Sequence, residues 1–256
     1  AKAGPGLAIR QGFIASPGHN WLALDYSQIE MRVLAILSKD PALTDIFKSG
    51  KDVHTAVASL VFGVSEEAVN KEMRRRAKVI NFGIIYGMGV NALRVNLNST
   101  RAEAQKFYDD YFAALPTIRE YFDGVVARAY ELGYTETFFG RRRYFPGLRS
   151  PLPQIKASAE RQAYNAPLQG TAADIVKLAN ILADQKLRGA GLINQTHFLL
   201  QVHDELIYEV ENEVTESAAY LIKEAMESVV ETEILLKAEI SVGDNWGQLK
   251  PYSAKK

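Results

Sequence analysis

Apolar and polar positions along this chain alternate with two periods, and the first clear segment is an apolar run. Residues 21–25 (WLALD) place four apolar side chains before a carboxylate, which predicts a buried strand whose last residue emerges at a sheet edge. Residues 27–37 then follow the helical period. Ser65, with Glu66 and Glu67 behind it, predicts a helix start, and residues 71–86 form a further helix that Gly87 and Gly89 stop. Thr100 with Glu103 and Thr117 with Glu120 each match the capping box, and Pro116 separates the two helices they open. Residues 134–145 (YTETFFGRRRYF) predict a hairpin turning near Gly140. Residues 156–188 keep the helical period but contain Pro167 and Gly170, so a break or kink is expected there. In residues 197–210 (HFLLQVHDELIYEV) two apolar arms flank His203, Asp204 and Glu205, the pattern of strand, turn and strand. A helix over 215–231 and a last strand over 237–242 complete the chain.

Strands near both ends with helices between them predict an α+β fold: a small antiparallel sheet assembled from distant segments, with a mainly helical subdomain inserted. With 256 residues, 47% hydrophobic and 23% charged, the chain can bury one large core or two small ones. No apolar stretch approaches the roughly eighteen residues of a membrane span, and residues 1–13 lack a signal-peptide layout, so a soluble intracellular protein is expected. The first residue is Ala1 rather than Met, so a processing or expression boundary is expected there. The absence of cysteine excludes disulfides, thiolate zinc sites, Fe–S clusters and cysteine nucleophiles, leaving oxygen or imidazole for any metal.

Thirty basic residues balance thirty acidic ones, but unevenly. Lys71, Arg74, Arg75, Arg76 and Lys78 face only Glu72 locally, and Arg141, Arg142, Arg143 and Arg149 form a second basic patch. The C-terminal third is strongly acidic. Such asymmetry keeps a phosphate-rich partner in view, although solvated helix faces give the same pattern.

Three constellations carry candidate chemistry. Asp25 ends one strand, and Asp204 and Glu205 interrupt another apolar segment. Hard cations such as Mg²⁺ prefer such oxygen ligands, and a pair of them can drive in-line phosphoryl displacement. From spacing alone ordinary turn residues are the commoner reading for Asp204 and Glu205; against it stand the two apolar arms around them, where unpaired carboxylates are costly to desolvate. On the 71–86 helix, Arg74, Lys78, Phe82 and Tyr86 recur every four residues, one stripe about 18 Å long with cations first and rings last. A nucleoside triphosphate has the same polarity, while an amphipathic helix would separate charges from rings. Arg161, Asn165 and Gln169 repeat at the same interval, suiting minor-groove contacts made without sequence demand. Glu30 adds a carboxylate close after Asp25.

At these residues the chain resembles a known family. Residues 25–30 (DYSQIE), 74–86 (RRRAKVINFGIIY) and 202–205 (VHDE) are similar, in order and spacing, to motifs A, B and C of the family A DNA polymerases. The likeness extends through residues 52–55 (DVHT), 139–144 (FGRRRY) and 165–174 (NAPLQGTAAD). It implies the palm and fingers of a bacterial polymerase I-like enzyme: palm at 1–49 and 151–256, fingers at 50–150, with the thumb and exonuclease domains absent.

The resemblance further implies template-directed DNA synthesis on primer-template DNA from dNTPs, by a monomer in the bacterial cytoplasm or an organelle. Asp25, Asp204 and the Tyr26 carbonyl would hold two Mg²⁺ ions, with Mn²⁺ as substitute, and Glu205 would support them. Lys78 would neutralise the triphosphate, Arg74 and His54 would clamp its outer oxygens, and Phe82, Gln28 and Tyr86 would complete the nucleotide site. Glu30, backed by Tyr86, would exclude a ribose 2′-hydroxyl. Arg161, Asn165, Gln169, His203, Tyr86 and Gly83 would contact DNA. Without the preceding thumb, weak or absent activity is expected of the chain alone. A nucleic-acid-binding fragment without catalysis, a two-metal nuclease and a single-subunit RNA polymerase are the competing expectations.

Overall fold

A computed structural model describes residues 5–253, the backbone alone for residues 5–7. The chain forms two compact units. One comprises the described residues up to Ile29, Ala173–Glu231 and the chain from Leu236 onward; the other comprises Glu30–Ala172 and Thr232–Leu235.

The first unit is built on a five-stranded antiparallel sheet. In chain order it contains helix α1 (Pro5–Gln11), strand β1 (His19–Tyr26), the later part of a long helix, strands β4 (Thr196–Val202) and β5 (Glu205–Glu211), helix α10 (Thr215–Ser228), and strands β6 (Ala238–Gly243) and β7 (Lys250–Tyr252). Strand order is β4-β5-β1-β6-β7, so the apolar run of β1 is central. Its alternate side chains serve two faces. Leu22, Leu24 and Tyr26, with Leu206, Tyr208 and Ile240, lie on the face that α10 covers, and the Tyr26 hydroxyl donates to the Met226 carbonyl at 2.6 Å. Trp21, Ala23 and Ile207 form a second cluster on the opposite face with Trp246 and Leu249. Asp25 continues that second face to its end.

The second unit is helical apart from a short hairpin, β2 (Tyr134–Glu136) with β3 (Arg142–Tyr144). Its helices are α2 (Ile29–Ser38), α3 (Pro41–Lys48), α4 (Val53–Phe62), α5 (Lys71–Ile85), α6 (Val90–Leu97), α7 (Arg101–Ala114), α8 (Pro116–Leu132) and the first part of α9 (Pro153–Gly189). Caps explain most of the starts. Asp52 accepts from Thr55 N at α4, Asn70 from Met73 N at α5, and Thr100 with Glu103 completes a capping box at α7.

Four expectations need correction. Ser65 opens only a three-residue 3-10 turn, Glu66–Ala68, and its side chain makes no capping bond. Thr117 does not cap α8: Pro116 occupies the first helical position, and the Thr117 hydroxyl instead donates to Asp40, the N-cap of α3. The helix over 156–188 is neither broken at Pro167 nor at Gly170. The hairpin braces it there, Arg141 Nη2 donating to the Gly170 carbonyl at 3.0 Å and Phe138 N to Thr171 Oγ1 at 2.9 Å. Finally, α10 stops at Ser228, and α1 and β7 were not legible as periodic segments. No helix among the described residues is long and apolar enough to cross a membrane.

Candidate active site

In the sheet unit, antiparallel register sets Asp25 directly opposite Glu205 of β5 on one side and Glu239 of β6 on the other. Directly opposed residues share a face, so three carboxylates form a row across three strands, an arrangement of like charges that costs energy. Asp204 adds a fourth from the two-residue turn between β4 and β5, where its carbonyl accepts from Tyr26 N at 3.3 Å. The turn is strained, because His203 holds φ at 55° without being glycine. Gln28, partly exposed, does the same at φ 57° just beyond β1. The Tyr26 side chain points under α10, so only its backbone belongs to the carboxylate edge.

The electrostatics follow from the crowding. Asp25 reaches solvent on its outer side, yet burial of its inner side pushes its pKa up. The charges of Asp204 and Glu205, a hydrogen bond with Asp204, and Glu239 add to that, bringing it to about 7. Burial also raises Glu205; Arg10 opposes this and Asp204 reinforces it. Among the described residues no lysine or arginine forms an ion pair with Asp25 or Asp204. No three His, Asp or Glu side chains among the described residues form a closed metal cage. Two rim aspartates in acidic surroundings suit Mg²⁺ nonetheless, since that ion takes one or two protein carboxylates and fills its other positions with water and phosphate oxygens. Glu239 was missed from the sequence. Its signal was its position between buried Ala238 and Ile240, which puts it on the other face of a strand beside Asp25.

In the helical unit, Ala77, Ile80, Asn81, Ile84 and Ile85 bury one side of α5. Arg74, Lys78 and Tyr86 lie exposed on the other side with half-buried Phe82, so the stripe is outward-facing as its spacing implies. Lys78 pairs with no carboxylate among the described residues. Arg74 is bidentate to Asp52, Nε–Oδ1 3.0 Å and Nη2–Oδ2 2.9 Å. Burial would raise Asp52, but hydrogen bonds from Arg74 and Thr55 outweigh it and hold its pKa at about 2. His54 is 3% exposed, and burial pushes its pKa down to about 4, so the ring is neutral at neutral pH. It lies 5.6 Å from the Phe82 ring and 3.1 Å, through Nδ1, from the Asn81 amide nitrogen. The Tyr86 hydroxyl donates to Glu30 Oε2 at 2.8 Å. Gly83 is buried beneath Met88, whose sulfur would lie 2.9 Å from any added Cβ. On α9, Arg161 and Gln169 are exposed, whereas Asn165 is buried and donates to the Ile85 carbonyl at 2.7 Å.

The sequence model of DNA polymerase family A matches residues 2–248. The chain belongs to that family. It is 45% identical over 241 residues to the thermostable DNA polymerase I of Thermus aquaticus, covering 94% of this chain and 28% of that protein. With DNA polymerase I of Pseudomonas aeruginosa the identity is 44% over 247 residues, 96% of this chain and 27% of the relative. Among solved structures, the POL domain of Pol1 from M. smegmatis, in complex with DNA primer-template and dNTP, matches with a TM-score of 0.90 at 39% identity. That match covers 96% of this chain and 43% of the other. The chain therefore spans little more than a quarter of these polymerase I relatives and is a family A DNA polymerase domain.

Proposed function

We propose that this domain performs template-directed DNA synthesis, transferring a dNMP from a dNTP to a primer 3′-hydroxyl and releasing pyrophosphate. The observation that carries the reading is the carboxylate edge of the sheet, Asp25 set by register between Glu205 and Glu239 and next to the turn that carries Asp204, with no lysine or arginine among the described residues paired to either aspartate. Such an edge is poised for a divalent metal. We assign the palm role to residues 1–49 and 151–256 and the fingers role to 50–150. This is a division by task; the compact units part instead at Ile29/Glu30 and Ala172/Ala173, and again on either side of Thr232–Leu235.

Asp25, Asp204 and the Tyr26 carbonyl would hold Mg²⁺, as a pair of ions, with Glu205 supporting the aspartates and Mn²⁺ an acceptable substitute. When bound, the metal would favour ionisation of the primer hydroxyl and offset charge on the transferring phosphate. Lys78, exposed and paired with no carboxylate among the described residues, neutralises the triphosphate and supplies a proton to the leaving pyrophosphate. Arg74 exchanges part of its hold on Asp52 for the outer phosphate oxygens. His54 joins it as a neutral hydrogen-bond donor, not as a cation. Phe82 packs against sugar and base, Gln28 borders the nucleotide, and Tyr86 meets the template base, while Gly83, expected to touch DNA, lies buried under Met88 and serves that contact only from behind. Glu30, fixed by the Tyr86 hydroxyl, occupies the space a ribose 2′-hydroxyl would need. Arg161, Gln169 and His203 contact the primer-template minor groove, joined by the amide atoms of Asn165 not given to Ile85. Positioning and charge stabilisation supply most of the rate.

Single-turnover primer extension with excess protein and Mg²⁺ tests this. The wild-type chain is expected to add one template-matched dNMP slowly, Asp204→Ala to add none, and Lys78→Ala to be slower by about 100-fold. Addition that ignores the template or survives Asp204→Ala would refute the reading, as would a wild-type chain that neither extends a primer nor binds a dNTP.

A further inference from the structure

The buried side of α5 is apolar except at Asn81, which is 0% exposed. An enclosed amide costs desolvation energy that only hydrogen bonds recover. Asn81 recovers part of it, its nitrogen lying 3.1 Å from His54 Nδ1, while its Oδ1 has no partner among the described residues. A residue that leaves one polar atom unsatisfied in a core is poorly explained by packing. Its one side-chain bond explains it better.

A neutral imidazole has one N–H and one lone pair, and the partner of one nitrogen decides what the other offers. An amide N–H directed at Nδ1 requires the lone pair there and leaves the proton on Nε2. We propose that Asn81 is a positioning residue that locks His54 in the Nε2–H tautomer, so that the ring presents a neutral donor to a phosphate oxygen of the incoming nucleotide. This rests on the nucleotide-binding reading above and deepens it. The opposite tautomer would turn a lone pair toward an anion.

The surroundings favour a neutral donor over a charged one. The groups whose charges reach His54 are Asp52, Arg74 and Lys78. Asp52 is already engaged by Arg74, so a third cation would add repulsion to the two that α5 presents. A neutral N–H adds a hydrogen bond without that cost. The Phe82 ring alongside and the burial of both His54 and Asn81 hold the pair in place.

Nitrogen-15 NMR of histidine-labelled protein separates the tautomers directly. The wild-type chain is expected to show His54 protonated on Nε2 alone at pH 7. In Asn81→Asp, a carboxylate accepts rather than donates, so Nδ1 gains the proton and the dissociation constant for dATP with Mg²⁺ rises about tenfold, a loss of about 1.4 kcal/mol. A wild-type ring protonated on Nδ1 overturns the proposal even if the variant fails to fold. So does a folded Asn81→Asp chain with unchanged tautomer or unchanged dATP affinity. A wild-type chain with the Nε2–H tautomer that binds no dATP overturns the nucleotide reading, and with it the purpose assigned to Asn81.

Discussion

Asp25 and Asp52 are the same side chain in opposite circumstances. Asp25, in the sheet unit, is lifted to about 7 by burial and by neighbouring carboxylates. Asp52, in the helical unit, is held at about 2 because Arg74 and Thr55 bond to its charged form. The second is a finished structural device that caps α4 and anchors Arg74. The first is unfinished: burial and the carboxylates of Asp204, Glu205 and Glu239 all oppose its charge, and no lysine or arginine among the described residues pairs with it. An acidic residue that a fold keeps at such cost is better read as a site than as a support.

Substitution by the neutral isostere breaks the comparison most sharply. Asp25→Asn is expected to lower single-turnover nucleotide addition about 1000-fold or more, while the melting temperature in metal-free buffer at pH 8 rises, because a repelled charge is gone. Asp52→Asn should do the reverse. It loses the bidentate pair and weakens the α4 cap, which costs about 1–2 kcal/mol of stability, and it slows addition far less. Equal activity losses in the two variants would remove the distinction.

How much of this was legible in the sequence follows the same line. Local devices were readable: the apolar run ending at Asp25, the capping box at Thr100, and the hairpin arms around His203 and Asp204. Devices that depend on distant partners were not. Thr117 has the spacing of a cap, but its hydroxyl serves Asp40. Pro167 should disturb a helix, but a hairpin contributed by residues far back in the chain supports it. Glu239 became visible only when strand register put it beside Asp25. Asn81 did leave a trace, a polar residue on the apolar side of a helix, yet nothing local connects it to His54. The outward stripe of α5 was legible because every fourth residue falls on one side of a helix whatever the tertiary context.

Backbone strain supplies a smaller contrast. Helices α4 and α8 end on glycines in the left-handed region, Gly63 at φ 64° and Gly133 at φ 80°, where that conformation carries no Cβ penalty. The turn that presents Asp204 uses His203 at φ 55° instead. His203→Gly is expected to stabilise the protein by about 1 kcal/mol in thermal or denaturant unfolding, and to weaken primer-template binding if the imidazole touches the groove. A neutral or destabilising change would mean that the turn is unstrained and that His203 is there for packing.

The finest test uses pH, because the two aspartates shift in opposite directions. Between about pH 4 and 7 the folded chain keeps a proton on Asp25 that the unfolded chain has released. The native state then binds more protons, and stability falls as pH rises through that window. Asp52 works below it. The unfolded carboxylate takes up a proton near its ordinary value while the folded one resists until about 2, so the stability it contributes above pH 4 is lost as pH falls toward 2. Both side chains are partly solvated, which limits each contribution to about 1 kcal/mol. Denaturant unfolding in EDTA at pH 3, 5 and 8 should therefore show Asp25→Asn gaining relative to wild type from pH 5 to 8. Asp52→Asn should lose less at pH 3 than at pH 5. Added Mg²⁺ should narrow the Asp25→Asn advantage at pH 8, since the ion supplies the charge that the wild-type site lacks. An Asp25→Asn difference that does not change with pH, or that Mg²⁺ leaves untouched, would place the carboxylate row among ordinary surface charges.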